Sequence, residues 1–460
     1  MENLKPKYNL ITAICLVVGI VIGTGVFFKA STVLMEVNGN LTLSIIAWIF
    51  GGVIMLITSY NFANISLCYN NIHSMTDFAK YSVNDKFGYI IGVFAKYIYF
   101  PSMTSTVSFV VGMYFCEVCK LTSGNFPFNF YVFLFAFIFL TILAATNILA
   151  PKIASKIQIS TTVIKMIPLI MMGLIGLIIG LANNTLPANF NYIDSSLQGN
   201  GFLAAICVTS FSYEGWICAT NIGGEIKNRN KNLPLALIIG TSIVMLIYII
   251  YNLGLSGAIS TDDLLNSVSA SESVKQAFKN IFGNGLANIL IIIVVISAIG
   301  TLNGLVIANS RCGYALAINK QGLFKKQMTS LTKKTNVPLL SSIVGYLLAL
   351  MWLLYYYFSQ TNDLANGTGF PFDSSELPII TNYLLYIPVL FCFMKKNSNL
   401  NVFKRFIMPS LGILASGFMV FAAIYRHKIN TVYYLSFFII VILIAILVKY
   451  IQTKSLTKNN

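Results

Sequence analysis

Charge is what this sequence has least of. Only 10% of its 460 residues are Asp, Glu, Lys or Arg, where a soluble domain carries roughly a quarter. A water-facing surface over most of the chain is thereby excluded. Histidine is nearly absent too. His73 and His427 fall in expected loops, and two isolated imidazoles build no metal cluster. Most of the eight cysteines (Cys15, Cys68, Cys207, Cys218, Cys312, Cys392) sit inside apolar runs as small packing residues. Cys116 and Cys119 are close in sequence, but no second Cys or His pair accompanies them. The chain has no Gly-x-Ser-x-Gly elbow, paired-histidine motif or phosphate-cradling loop, so no enzyme, metal or cofactor is expected. No Pro/Gly/Ser-rich linker divides it either, and residues 1–460 read as one membrane domain.

What is there is apolar: 57% of the residues are hydrophobic. Long apolar runs predict membrane spans near 10–35, 43–69, 88–116, 128–149, 157–182, 200–222, 234–258, 285–317, 338–358, 376–394, 404–425 and 431–451. That makes an all-α integral membrane protein of twelve transmembrane helices. Lys5 and Lys7 before the first run suggest a secretory signal, but the run is long and glycine-interrupted, with no cleavage site before Asn38. It is therefore the first span.

The net charge of +16 invites a nucleic-acid partner, but the basic residues sort by membrane side. With the N-terminus in the cytosol, Lys325-Lys326, Lys333-Lys334, Lys395-Lys396 and Lys404-Arg405 fall inside. Glu36, Glu117, Asp262, Asp263 and Glu376 fall outside. This positive-inside bias places both termini in the cytoplasm of a multi-pass plasma-membrane protein and removes any need for nucleic acid. The expected partners are the lipid bilayer and a small molecule.

Two spans carry interruptions. Gly23-Thr24-Gly25 breaks the first with three residues of poor helix propensity. Unwinding there would free N–H groups at a helix start, where the dipole favours a carboxylate. A packing face of small residues explains the same glycines equally well. Phe211-Ser-Tyr-Glu-Gly-Trp216 breaks the sixth, and a carboxylate there costs about 2.5–3.5 kcal/mol on insertion scales. Glu214 therefore needs compensation, either by a ligand or by a buried ion pair or protonated carboxyl. Carbonyls freed at this second break would suit an ammonium group. Together the breaks offer the polar inventory that an α-amino acid requires. Phe211 and Trp216 are either an aromatic lid or bulky packing residues.

Five spans precede the broken sixth and none precede the broken first. Residues 10–182 thus overlay 200–394 as an inverted repeat, with 404–451 an appended pair. Lys165 lies about eight residues into the fifth span, deeper than snorkelling easily explains, and either docks on carbonyls of the broken first helix or snorkels. Lys96 is comparably deep and has no evident partner. Arg311 is expected to reach the interface.

Gly23-Thr-Gly-Val-Phe27, Phe211-Ser-Tyr-Glu-Gly-Trp216, Gly224-Glu-Ile-Lys-Asn-Arg-Asn-Lys-Asn-Leu-Pro234, Ser297-Ala-Ile-Gly-Thr-Leu-Asn-Gly304 and Ala308-Asn-Ser-Arg311 resemble the amino acid–polyamine–organocation permeases. The nearest branch is the L-type amino acid transporter and bacterial serine/threonine exchanger group. The likeness covers spans one to eight; the last four match only in number and hydropathy. It implies a leucine-transporter-type 5+5 inverted repeat with broken helices 1 and 6. It also implies that Gly23, Thr24 and Gly25 hold the substrate carboxylate, that carbonyls around Phe211 and Ser212 hold the amine and that Phe211 is the outer gate; Ile20 and Glu214 complete the expected substrate site and Trp216 the expected gate. Lys165 matches the family lysine that replaces sodium and ties the first helix to the eighth near Ser297. Departures from the family pattern occur at Gly224, Leu235 and Ile217. The implied activity is sodium-independent amino acid transport, by exchange or by proton coupling, with an amino-acid-binding membrane sensor as the alternative of another class. The substrate is cationic, small and neutral, or a polyamine. No accessory subunit is expected.

Overall fold

The computed structural model of the protein describes residues 6–23, 25–69, 74–122, 128–192, 200–266, 270–366, 372 and 374–458, apart from the side chains of 28, 211, 270–272, 286–288, 360–366 and 452–458. Helix starts follow from short polar caps. Asn9 accepts from Thr12 N at 2.9 Å to open α1 (Leu10–Val21), and Asn40 accepts from Leu43 N at 3.0 Å to open α3 (Leu41–Cys68). Between them lies α2 (Gly25–Glu36). Asn84 caps α4 (Asp85–Phe94) and Asn129 caps α6 (Phe130–Leu149) in the same way. Each such cap is worth about 1 kcal/mol.

The third apolar run is not one regular helix. A π turn over Ala95–Tyr99 separates α4 from α5 (Phe100–Val118). Pro101 lies just beyond it and lacks the N–H that a regular α ladder would use, a common setting for such a bulge. The chain continues through α7 (Pro151–Ala182), α8 (Phe202–Ser212), α9 (Arg229–Ala258) and α10 (Ala270–Ile318), the last kinked at Gly283. It ends with α11 (Leu339–Asn366), α12 (Leu377–Lys396), α13 (Met408–His427) and α14 (Ile429–Lys458).

Among the described residues nine helices are long and apolar enough to cross a membrane. The three expected spans missing from that set are the first and sixth, which are broken, and the third, which carries the π turn. No β-strand occurs among the described residues, only isolated bridges.

A glycine seam brings α7 and α9 together. A Cβ at Gly176 would lie 2.2 Å from Gly254 O, and one at Gly180 would lie 2.3 Å from Gly257 Cα. Only bare backbone fits, the small-residue packing that membrane helices use where burial against lipid supplies no drive. α14 is the opposite case: 11% of its apolar window is buried in the protein, so its other faces suit lipid.

Candidate functional site

α1 stops at Val21, and Ile22 takes a non-helical ψ of 88° before α2 begins at Gly25. α8 stops at Ser212, and a helical turn resumes only at Cys218. Gly215 between them has φ +111°, a conformation open to glycine and strained for other residues. The two interruptions touch: a Cβ at Gly215 would sit 2.7 Å from Ile20 Cγ2. Tyr248 of α9 joins them further, its hydroxyl shared between Val21 O at 2.9 Å and Ser212 O at 2.8 Å. The sequence offered no signal for Tyr248, one of 24 tyrosines.

Lys165 is fully buried and reaches the open end of α1. Its Nζ donates to Gly19 O at 2.7 Å, to Ile22 O, to Thr301 Oγ1 at 3.1 Å and to Ser297 O at 3.3 Å. Every one of these acceptors is neutral. Carbonyls at a helix C-terminus carry the negative end of its dipole and replace water around the ammonium. Lys165 does not snorkel. Ser297 takes part through its carbonyl, and the hydroxyl in the cage belongs to Thr301, which the sequence reading missed. Thr301 Oγ1 also faces Gly19 O at 3.2 Å and Ile22 O at 3.3 Å.

Glu214 is 4% exposed and accepts a hydrogen bond from Tyr99, the last residue of the π turn. Tyr383 and Tyr386 of α12 lie within electrostatic reach of the same carboxyl. Trp216 is buried edge-on against Phe62 at 5.6 Å between centroids and beside Tyr386 at 6.1 Å. Gly23 and Gly25 are buried, Gly23 backing onto Thr301. Ser212 Oγ and Ser297 Oγ have no hydrogen-bond partner among the described residues. Thr24 and the Phe211 side chain lie outside those residues.

Two clusters of ion pairs join distant parts of the chain. Glu225, in the turn Gly223–Glu225, pairs with Lys7 and with Arg311 Nε at 2.9 Å, while its carbonyl accepts Lys7 N at 2.8 Å and Tyr8 N at 2.9 Å. Arg311 is 2% exposed, so it does not reach the interface as expected; a carboxylate partner lets it stay buried. Burial pushes the Glu225 carboxyl up, but Arg311 and Lys7 outweigh it and leave the group below the ordinary carboxylate range.

In the second cluster Glu376 meets Lys29 at 3.3 Å, His427 Nε2 at 3.0 Å and Arg426 Nε at 3.4 Å, and Arg426 also holds Glu36 at 3.1 Å. Burial raises the Glu376 carboxyl, and Lys29, His427 and Arg426 together bring it well below its usual value. His427 is the last residue of α13 rather than a loop residue, and its ring lies near Glu376 and Cys207, with ligand atoms within 4.8 Å. The carboxylate oxygens of that trio already serve Lys29 and Arg426 as well as the His427 ring, so the group is an ion-pair knot more than a metal cradle. Lys96 is 5% exposed and donates to Tyr97 Oη at 3.2 Å.

This architecture is similar to that of a nucleobase-cation-symport-1 family transporter solved in a closed conformation with bromovinylhydantoin bound. The TM-score is 0.55 at 13% identity, over 93% of this chain and 94% of that one. At the sequence level, residues 8–447 match the amino acid permease family. The chain belongs to that family. The permease is 27% identical over 390 residues to the serine/threonine exchanger SteT of Bacillus subtilis, covering 85% of this chain and 83% of the relative. It is 27% identical to the large neutral amino acids transporter small subunit 2 of Homo sapiens, over 83% of this chain and 68% of that one. With the human cystine/glutamate transporter it shares 24% identity over 76% of this chain and 68% of the relative. This permease is thus a multi-pass membrane transporter of amino acids.

Proposed function

We propose that this permease is a sodium-independent amino acid exchanger of the plasma membrane that works by alternating access, with twelve spans, both termini cytoplasmic and an inverted 5+5 repeat. The observation that carries the proposal is Lys165. Its ammonium fills a cage of carbonyls and a hydroxyl between α1 and α10, the kind of oxygen cage that a sodium ion would otherwise need. A fixed lysine removes the ion from the cycle. Substrate carboxylate then docks on backbone N–H groups around Gly23, Thr24 and Gly25 at the start of α2. Substrate amine docks on carbonyls near Phe211 and Ser212; the Ser212 carbonyl keeps a lone pair beyond the one facing Tyr248. Ile20 shapes the floor against Gly215. Phe211 and Trp216 serve as gate. Exchange is further supported by the serine/threonine exchanger relative.

Proton coupling is the second reading, favoured by the buried Tyr99–Glu214 pair, whose carboxyl has a hydroxyl beside it and no cationic partner among the hydrogen bonds described. The test is uptake of each radiolabelled amino acid, with ornithine and putrescine, into proteoliposomes with and without internal substrate, sodium and a pH gradient. Stimulation by internal substrate alone supports exchange. Uptake driven by the pH gradient alone supports the second reading, and binding without turnover would overturn both in favour of a sensor.

A further inference from the structure

A long apolar recess runs along α14, away from the broken helices. Phe437, Val441, Ile444, Ala445 and Val448 recur at i, i+4, i+7, i+8 and i+11, one face of a helix. They line two successive hollows that share Tyr97 as a wall. The first, about 390 Å³, is walled by Trp352, Tyr355 and Phe372; the second, about 300 Å³, by Tyr89, Leu316 and Leu323. From Phe437 to Val448 the trough extends about 16 Å at the helical rise. That length suits most of a phospholipid acyl chain. The trough lies on a helix barely covered by protein.

The trough ends in like charges. Lys449 continues the stripe at i+4 from Ala445 and holds its Nζ 4.4 Å over the Tyr89 ring. Lys86 follows Asp85 at the start of α4, and Gln321 Nε2, four residues before Lys325, donates to Asp85 O at 3.1 Å, so both lysines come to this end of the trough, with Asp85 a carboxylate in electrostatic reach of Lys449. Asp85 is itself shared with Lys80 at 3.4 Å. Three cations beside one shared carboxylate are an anion seat, and it stands at the mouth of an apolar channel. Neutral lipid would fill the channel and leave the lysines repelling one another. Free phosphate would do the reverse.

We propose that this trough binds an anionic phospholipid, with an acyl chain along α14 past Tyr97 and the phosphate on Lys86, Lys325 and Lys449. Basic pockets between membrane helices take such headgroups, each lysine contributing roughly fivefold to binding. The site is independent of the transport mode.

Trp352 lines the trough and is a built-in reporter, since the other two tryptophans, Trp48 and Trp216, are buried elsewhere at 0% and 1% exposure. The full-length protein is reconstituted in phosphatidylcholine containing a minor fraction of either phosphatidylglycerol or phosphatidylcholine with brominated chains. Brominated phosphatidylglycerol is expected to quench the Trp352 emission, defined by its loss in Trp352→Phe, more strongly than the brominated neutral lipid. That excess should fall roughly fivefold for each of Lys86→Gln, Lys325→Gln and Lys449→Gln. Ala445→Phe, which narrows the channel and leaves the lysines, should also reduce it, and melting temperatures confirm that each variant folds. Equal quenching by both lipids, or an excess that survives all three lysine changes, would overturn the proposal. So would loss of the excess on adding inorganic phosphate, which would make the lysines a phosphate seat. Trp352 emission that changes only on diluting the protein would assign the trough to a second copy.

Discussion

Lys165 and Glu214 are the two side chains whose chemistry depends most on their neighbours. Lys165→Ala removes the ammonium and leaves the carbonyls of Gly19 and Ile22 facing each other across an empty cage. Exchange should be lost or uncoupled while surface expression persists, which uptake measured against expressed protein will show; normal kinetics would take Lys165 out of the mechanism. Tyr99→Phe strips the side-chain donor from a buried carboxyl and leaves it the Gly215 backbone N–H, a loss worth about 1–3 kcal/mol. The variant should melt earlier, and its uptake should respond to pH differently from wild type if the pair carries a proton. Unchanged melting would mean that the Gly215 N–H alone satisfies Glu214. Glu214→Gln separates the substrate readings: selective loss of cationic amino acids indicates pairing with their side chains, whereas equal loss of all substrates indicates a structural or proton-carrying role.

At the scale of elements, the joints matter more than the helices. The α7–α9 seam has no space for a side chain, so Gly176→Leu must push the two helices apart. Overpacking of this kind costs about 1–3 kcal/mol or more. Lower thermostability with altered transport is the expected outcome, read by fluorescence-detected melting and uptake. Gly215→Ala adds a Cβ against Ile20 at a φ that favours glycine, and should weaken substrate binding more than folding. The breaks were legible in the sequence as glycines and a carboxylate inside apolar runs, but a small-residue packing face explained the first set of glycines equally well until α1 was seen to stop at Val21 and α8 at Ser212. The π turn was not, since Lys96-Tyr-Ile-Tyr99 differs little in hydropathy from an ordinary amphipathic stretch and Pro101 alone does not dictate a bulge.

Across the whole molecule, two ion-pair knots tie segments that are distant in sequence. Lys7, Glu225 and Arg311 tie the N-terminal segment to α10; Lys29, Glu36, Glu376, Arg426 and His427 tie α2 to α12 and α13. Arg311→Met leaves Glu225 buried with only Lys7, and breaking such a pair costs about 3–5 kcal/mol. It should shift the transporter toward a state in which that knot is open, detectable as greater labelling of cysteines introduced nearby. Glu225 and Glu376 have folded-state carboxyls below their ordinary range. A depressed carboxyl contributes stability that is complete above its unfolded value, about 4.3, and is lost as pH falls through the lower folded value. Both knots should therefore hold from neutrality down to about pH 5 and weaken only below about pH 4. Glu376→Gln should flatten the acid limb of a melting-temperature profile.

Composition and hydropathy by themselves determined that the chain is helical and membrane-embedded, where its apolar runs lie and where two of them are interrupted. Bilayer thickness and the cost of buried charge leave few alternatives at that level. Side-chain partners were decided only by the tertiary structure. Arg311 found Glu225 across 86 positions of sequence, Tyr99 found Glu214 across 115, and Lys165 chose the carbonyls of α1 over the interface. Long-range pairing depends on which helix faces meet, and hydropathy is nearly blind to that, because in a membrane the face toward protein and the face toward lipid are almost equally apolar.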